Sequence, residues 1–293
     1  MLNLQSDNPF LKLKVRYLFI VFFLLILLIG LIGGIIINYT GFNPKDPIIV
    51  YIYYCLIFGC FFLWLLRRFR QLKINAKYMI GHFPIGYNWL LVAGLVIAVL
   101  ICSMGVALLS FYFLSLVAPS FLDSLLKSIS ASKLQNSSVP ILFEIIKTIS
   151  FIVVAPVTEE FIFRGILLHR FATKWGITPA ILVSSFIFGC LHVNPIGLSI
   201  FGIMMALLYL KSRTLFVPMA AHAMNNFVAL GLQFFSKTSN SHSTNAASSY
   251  LWVGLIFLAL SAPFLVRFMF KNWPNQRVPL PYFANISRSQ ASP

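Results

Sequence analysis

Eight apolar runs, most of them near the length needed to cross a bilayer, divide this 293-residue chain. A helix needs about 20 mostly apolar residues to span the hydrocarbon core, and backbone polar groups in lipid must be satisfied within the chain itself. The runs lie at 17–38, 48–66, 89–117, 140–158 with a continuation to 174, 177–193, 197–210, 214–234 and 250–270. They predict an all-α, polytopic membrane bundle of about eight transmembrane helices. The fifth and sixth are short and are joined by an Asn-Pro-Ile-Gly turn, residues 194–197.

Composition excludes an ordinary soluble domain. Apolar residues make up 59% of the chain and charged residues 10%, against about 25% charged in soluble domains. The net charge of +16 raises the question of nucleic acid, but the cations are scattered between apolar runs and form no single patch. Lys12, Lys14 and Arg16, the 67–77 loop, Arg164, Arg170 and Lys174, Lys211 and Arg213, and the C-terminal tail carry most of them. By the positive-inside rule these flanks, and both termini, face the cytoplasm. The expected setting is a bacterial plasma membrane, with no nucleic-acid partner. The first run is too long for a signal-peptide core and no small-residue cleavage site follows, so it reads as a retained span.

Little else punctuates the chain. Cys55, Cys60, Cys102 and Cys190 fall inside apolar runs and read as small hydrophobes, with no CxxC or disulfide framework. Two Ser- and Asn-rich stretches, 128–140 and 236–249, read as exposed flexible loops, the first holding an Asn136-Ser-Ser sequon. Three regions result: 1–130, spans without an assignable motif; 140–235, where the chemistry concentrates; and 236–293, a polar loop, the last span and the tail.

Ionisable groups inside spans are costly, and they are therefore functional or paired. The chain has six Asp and Glu, and two of them, Glu159 and Glu160, sit side by side in an apolar segment. Glu160 and Arg164 stand four apart and share a helix face, which predicts a buried ion pair. Glu159 points roughly 100° away. A carboxylate without its own cation suits a general base, and it equally suits a buried hydrogen-bonded acid. Phe188 and His192, and likewise His222 and Asn226, are each four apart. Counted at about 1.5 Å per residue from the basic ends of their helices, Glu159, His192, His222 and Asn226 reach similar depths, with His222 the shallowest.

A carboxylate, two imidazoles and an amide suit hydrolysis of a peptide bond by an activated water. The acid takes the proton, and imidazole and amide donors hold the oxyanion. Glu and two His also form a zinc set, here Glu160, His192 and His222, with a fourth position open to water. No HExxH motif is present, and the expectation is the version without a cofactor, with Zn as the alternative.

At these residues the sequence resembles the CPBP intramembrane proteases, a family that includes type II CAAX prenyl endopeptidases and bacterial Abi or bacteriocin self-immunity proteins. The pattern EExxxR, FxxxH, HxxxN matches Glu159-Glu160 to Arg164, Phe188 to His192, and His222 to Asn226, in order on successive helices. The resemblance covers about 140–235. It implies an intramembrane endopeptidase in which Glu159 activates water, assisted by His192, while His222 and Asn226 form an oxyanion hole and Glu160, Arg164 and Phe188 support them. It also implies a membrane-associated or lipidated protein or peptide as substrate.

Two other classes fit part of the pattern. An ion- or proton-coupled transporter uses intramembrane acids and histidines, although no internal repeat is visible. A non-enzymatic immunity or scaffold protein needs no reactive acid. Elsewhere, His82 and His242 read as solvated loop residues, His169 as an interfacial one, and Glu144 with Lys147 as a simple pair.

Overall fold

The computed structural model describes residues 8–133, 137–236, 246–276 and 278–291. Asn136, His242 and most of the second polar loop lie outside the described residues. In chain order the helices are α1 (Pro9–Lys12), α2 (Val15–Thr40), α3 (Ile48–Gln71), α4 (Ala76–Ile80), α5 (Trp89–Val117) and α6 (Pro119–Lys133). They continue with α7 (Pro140–Trp175), α8 (Ile177–Cys190), α9 (Pro195–Ser212), α10 (Phe216–Ser236), α11 (Ala246–Asn272) and α12 (Pro281–Ala291). No strand occurs among the described residues. The protein is an integral, multi-pass helical membrane protein.

Each expected span has a counterpart, and six of the eight are long and apolar enough to cross a bilayer. The other two, Ile177–Cys190 and Phe216–Leu232, are shorter. At about 1.5 Å per residue, α8 reaches roughly 21 Å, well under the roughly 30 Å hydrocarbon core. The reason is local. Pro195 disfavours helix at the residue before it, and Asn194 instead caps α9, its side chain accepting the Gly197 amide at 3.2 Å. One loop expectation fails: Ser128–Lys133 belong to α6. Ser128 is accommodated there because its hydroxyl returns a hydrogen bond to the Ser124 carbonyl at 2.9 Å.

The apolar side chains sort by solvent. On α2 only Leu18 is buried, and Phe23, Leu24, Leu27 and Leu31 are all exposed; that surface is stable against acyl chains and untenable in water. Inside the bundle, helices meet where side chains are small, since in lipid close packing rather than burial draws helices together. On α5, a Cβ at Gly105 would sit 3.0 Å from the Gly254 carbonyl of α11. On α9, a Cβ at Gly202 would sit 2.9 Å from Cβ of Ser185 on α8. These contacts close α5 on α11 and α8 on α9, and α8 and α9 pack against α7.

Both ends of the chain pack onto the end of α7. Asn8 donates to the Thr173 hydroxyl at 3.2 Å, and Asn285 of α12 donates to the carbonyls of Tyr78 and Arg213 at 2.8 and 2.9 Å. His169 is not interfacial: it is fully buried. Its Nδ1 lies 3.1 Å from the Arg164 carbonyl, its Nε2 accepts the Tyr282 amide at 3.3 Å, and its ring stacks on Phe10. The docking of α1 and α12, 113 residues away at Tyr282, encloses the imidazole, and no local pattern announces it. At the opposite end, Asp46 accepts from the Ile48 amide at 3.1 Å and from the Ser138 amide and hydroxyl, at 2.7 and 2.5 Å, tying the α2–α3 turn to the start of α7. Burial pushes this carboxyl up, but the Ser138 and Ser137 hydroxyls and the two amides outweigh it and hold the group below the usual carboxylate range.

Candidate active site

The centre of α7 is not a regular α-helix. Two wider π-helical stretches, Ser150–Val154 and Phe161–Leu167, flank the six α-helical residues Ala155–Glu160. Pro156 explains the first: it has no N–H to give and its ring would press on the carbonyl one turn back. Hydroxyls take up carbonyls around the break, Ser150 donating to Ile146 at 2.7 Å and Thr158 to Val154 at 2.6 Å. Such π-bulges recur at functional sites. Here they set both glutamates between neighbouring helices.

Glu160 is fully buried and accepts from Arg164 Nη1 at 3.1 Å, the pair expected from their spacing. Arg164, 1% exposed, also donates from Nη2 to the Gly202 carbonyl at 2.9 Å and lies 4.9 Å over the Phe188 ring. The same Glu160 oxygen, Oε1, lies 2.9 Å from Nδ1 of His222. A carboxylate only accepts, so Nδ1 is the donor. Sequence reasoning paired Glu160 with Arg164 and joined it to His222 only in the zinc alternative; the direct hydrogen bond crosses 62 residues and was not foreseen.

Glu159 faces the other way, toward α3. Its Oε1 accepts from the Tyr54 hydroxyl at 3.1 Å, and its Oε2 lies 4.0 Å from His222 Nε2. That oxygen is buried and has no hydrogen-bond partner among the described residues. His222 therefore presents one ring nitrogen to each glutamate. Among the described residues no Lys or Arg pairs with Glu159; its neighbours are the Tyr54 hydroxyl and the His222 ring. Tyr54 was not foreseen, because a tyrosine in an aromatic-rich run carries no signal of its own.

His192 lies just beyond α8 rather than on it, since the helix ends at Cys190. The predicted pairing with Phe188 survives through the turn: His192 Nδ1 lies 2.8 Å from the Phe188 carbonyl, and the rings are 4.6 Å apart. Nε2 is left for other partners. Asn226 stands one turn after His222 on α10 and donates one amide hydrogen to the Phe151 carbonyl, within the first π stretch, at 2.8 Å. A second amide hydrogen remains. Phe188 and Phe201 press against His222 edge-on, at 6.0 and 4.9 Å.

The four expected residues line one cavity of about 640 Å³, together with Tyr54. Its remaining wall is largely apolar, with Phe19 and Phe22 from α2 and Phe58 from α3. The region before residue 130, which reads as spans without a motif, thus supplies one side of the site. No hydrogen bond joins His192 to Glu159 among the described residues.

The donor set for a metal can be tested on this geometry. Of the zinc alternative, Glu160 Oε1 is engaged by Arg164 and by His222 Nδ1, while His192 Nδ1 faces a backbone carbonyl. Among the described residues no three His, Cys, Asp or Glu side chains converge as a metal site requires. Glu160, His192 and His222 as arranged do not fit a zinc ion.

Residues 140–228 match the family described as type II CAAX prenyl endopeptidase Rce1-like. That range contains both glutamates, Arg164, Phe188, both histidines and Asn226. The 140–228 segment is similar to type II CAAX prenyl endopeptidases, in line with the motif resemblance. A Bacillus subtilis (strain 168) protein named "Putative membrane peptidase YdiL" is 31% identical over 109 residues, covering 36% of this chain and 44% of that protein. The chain thus aligns with under half the length of this relative. No solved structure matches. Tyr54 and the α2–α3 wall lie outside the matched segment.

Proposed function

We propose that the protein is an intramembrane endopeptidase that cleaves a peptide bond of a membrane-associated or lipidated protein by water attack. The observation that carries this reading is Glu159 Oε2, a buried carboxylate oxygen with no hydrogen-bond partner among the described residues, 4.0 Å from an imidazole nitrogen. A gap of that size between two polar atoms suits one bridging water. The family match of 140–228 and the peptidase relative support the same reaction class.

In this reading Glu159 takes the proton of the water that attacks the scissile carbonyl, and later passes it to the leaving amine. His192 Nε2, at the rim of the same cavity, orients that water. The oxyanion is met by His222 Nε2 and the free amide hydrogen of Asn226. For His222 to donate at Nε2 while Nδ1–H is held by Glu160, the ring carries both protons. That charge also balances the cluster, because Glu159, Glu160 and Arg164 alone sum to −1. Glu160 and Arg164 fix the imidazole and do not meet the substrate. The aromatic wall formed by α2 and α3 receives an apolar segment or lipid chain of the substrate.

The test is cleavage of a membrane peptide library by purified protein in nanodiscs. Glu159→Gln is expected to lower kcat by at least about 10²–10⁴-fold, the usual contribution of a general base, with an unchanged melting curve. A Gln variant that cleaves like wild type overturns the reading. A chelator arm separates the zinc version: loss of activity with chelator, restored by Zn, contradicts metal-free activation of water by Glu159 and leaves an endopeptidase.

A further inference from the structure

We propose that Tyr54 is a positioning residue for Glu159, so that the reactive carboxylate is aimed from outside the family segment. The proposal rests on the protease reading for its catalytic consequence and on geometry alone for the contact. The terminal torsion of a glutamate is broad and roughly two-fold. Among the described residues no hydrogen bond from α7 sets that torsion. Tyr54 decides it: the hydroxyl donates to Oε1 at 3.1 Å, and this leaves Oε2 turned to His222 Nε2 at 4.0 Å without a partner. A hydrogen bond to an ionised acceptor is about twice as strong as a neutral one, enough to hold one rotamer.

The tyrosine is itself held. Its ring lies 4.4 Å from Phe58, one turn further along α3, and α3 is anchored to α7 at the residue next to the glutamates by Phe62 and Phe69, both against Phe161 at 5.0 and 5.6 Å. Cys55, next to Tyr54, lies 3.2 Å from the Ser150 hydroxyl on the first π stretch. Helix α3 is thereby fixed on both sides of the hydrogen bond. Movement of α3 away from α7 would release the carboxylate, so the contact also couples closure of the cavity wall to readiness of the base.

The test uses Tyr54→Phe, which keeps the ring and its packing, in full-length protein in nanodiscs. Glu144, Glu159 and Glu160 are the glutamates of the chain, so labelling with ¹³C-glutamate makes the carboxyl stretching bands assignable. The expected result is a Tyr54→Phe minus wild-type infrared difference band that is absent when both proteins also carry Glu159→Gln. In the peptidase assay kcat should fall about 10- to 100-fold, the range for a hydrogen bond to a charged group, with KM within about twofold. Tyr53→Phe, whose ring lines a separate groove between α2 and α3, serves as the control. Absence of the difference band overturns the contact, and a band without a fall in kcat overturns the positioning role. A wild type that cleaves nothing sinks the protease reading, while the infrared band still decides whether Tyr54 holds the acid.

Discussion

Replacing Arg164 by Met tests the electrostatic centre of the fold. The substitution keeps an apolar stem of similar reach and removes the cation beside Glu160, whose side chain is fully buried. Breaking a buried pair by removing one partner costs about 3–5 kcal/mol, because the remaining charge stays desolvated. The lost hydrogen bond to the Gly202 carbonyl adds about 1 kcal/mol, and the His222 bond to Glu160 recovers part of the total. A net loss of about 3–4 kcal/mol is expected from these terms. Glu160→Gln alone leaves Arg164 buried and should cost a comparable amount. The double variant removes both charges, and coupling between touching residues runs to about 3 kcal/mol. It should therefore be more stable than the sum of the singles by about 2–3 kcal/mol. The assay is reversible unfolding of the four proteins in mixed micelles with a denaturing detergent. Additivity within about 0.5 kcal/mol would refute the claim that these two charges depend on each other.

Gly202→Ala should lower stability by about 1–3 kcal/mol through overpacking, since its Cβ meets Ser185 Cβ at 2.9 Å; thermal melting in detergent checks it, and an unchanged melt would contradict the close α8–α9 contact. His169→Phe removes the acceptor of the buried Tyr282 amide, which should cost about 1–3 kcal/mol and expose α12 to limited proteolysis before the membrane helices unfold. The Asp46 carboxyl sits below its usual range when folded, so its contribution is complete above the ordinary carboxylate pKa and is lost only as pH falls through the depressed value. Amide exchange at Ile48 and Ser138, corrected for intrinsic rates, should stay protected from pH 7 to 5 in wild type and lose protection in Asp46→Ala across that same window.

The fold was legible because its strongest determinant is one-dimensional: a run of apolar residues must be a helix in lipid, and the helices follow the runs almost one for one. The departures have local causes, Pro195 ending α8 early and serine hydroxyls letting α6 extend into a polar stretch. The candidate site was legible where spacing on one helix sufficed, as for Glu160 with Arg164. It was illegible where a contact spans the chain. Glu160 with His222, Tyr54 with Glu159, and His169 beneath α12 depend on how helices dock, and an aromatic in an aromatic-rich span gives no sign that its hydroxyl meets an acid. The same limit hid the contribution of α2 and α3, which read as plain spans and form the cavity wall.

The most direct test of Glu159 as the base that primes water is a single-turnover cleavage in H₂¹⁸O. The account predicts one ¹⁸O in the new carboxyl terminus of the first product formed and none in the enzyme. A first-turnover product carrying only ¹⁶O, with ¹⁸O appearing in the Glu159 side chain, would show a covalent intermediate and contradict it.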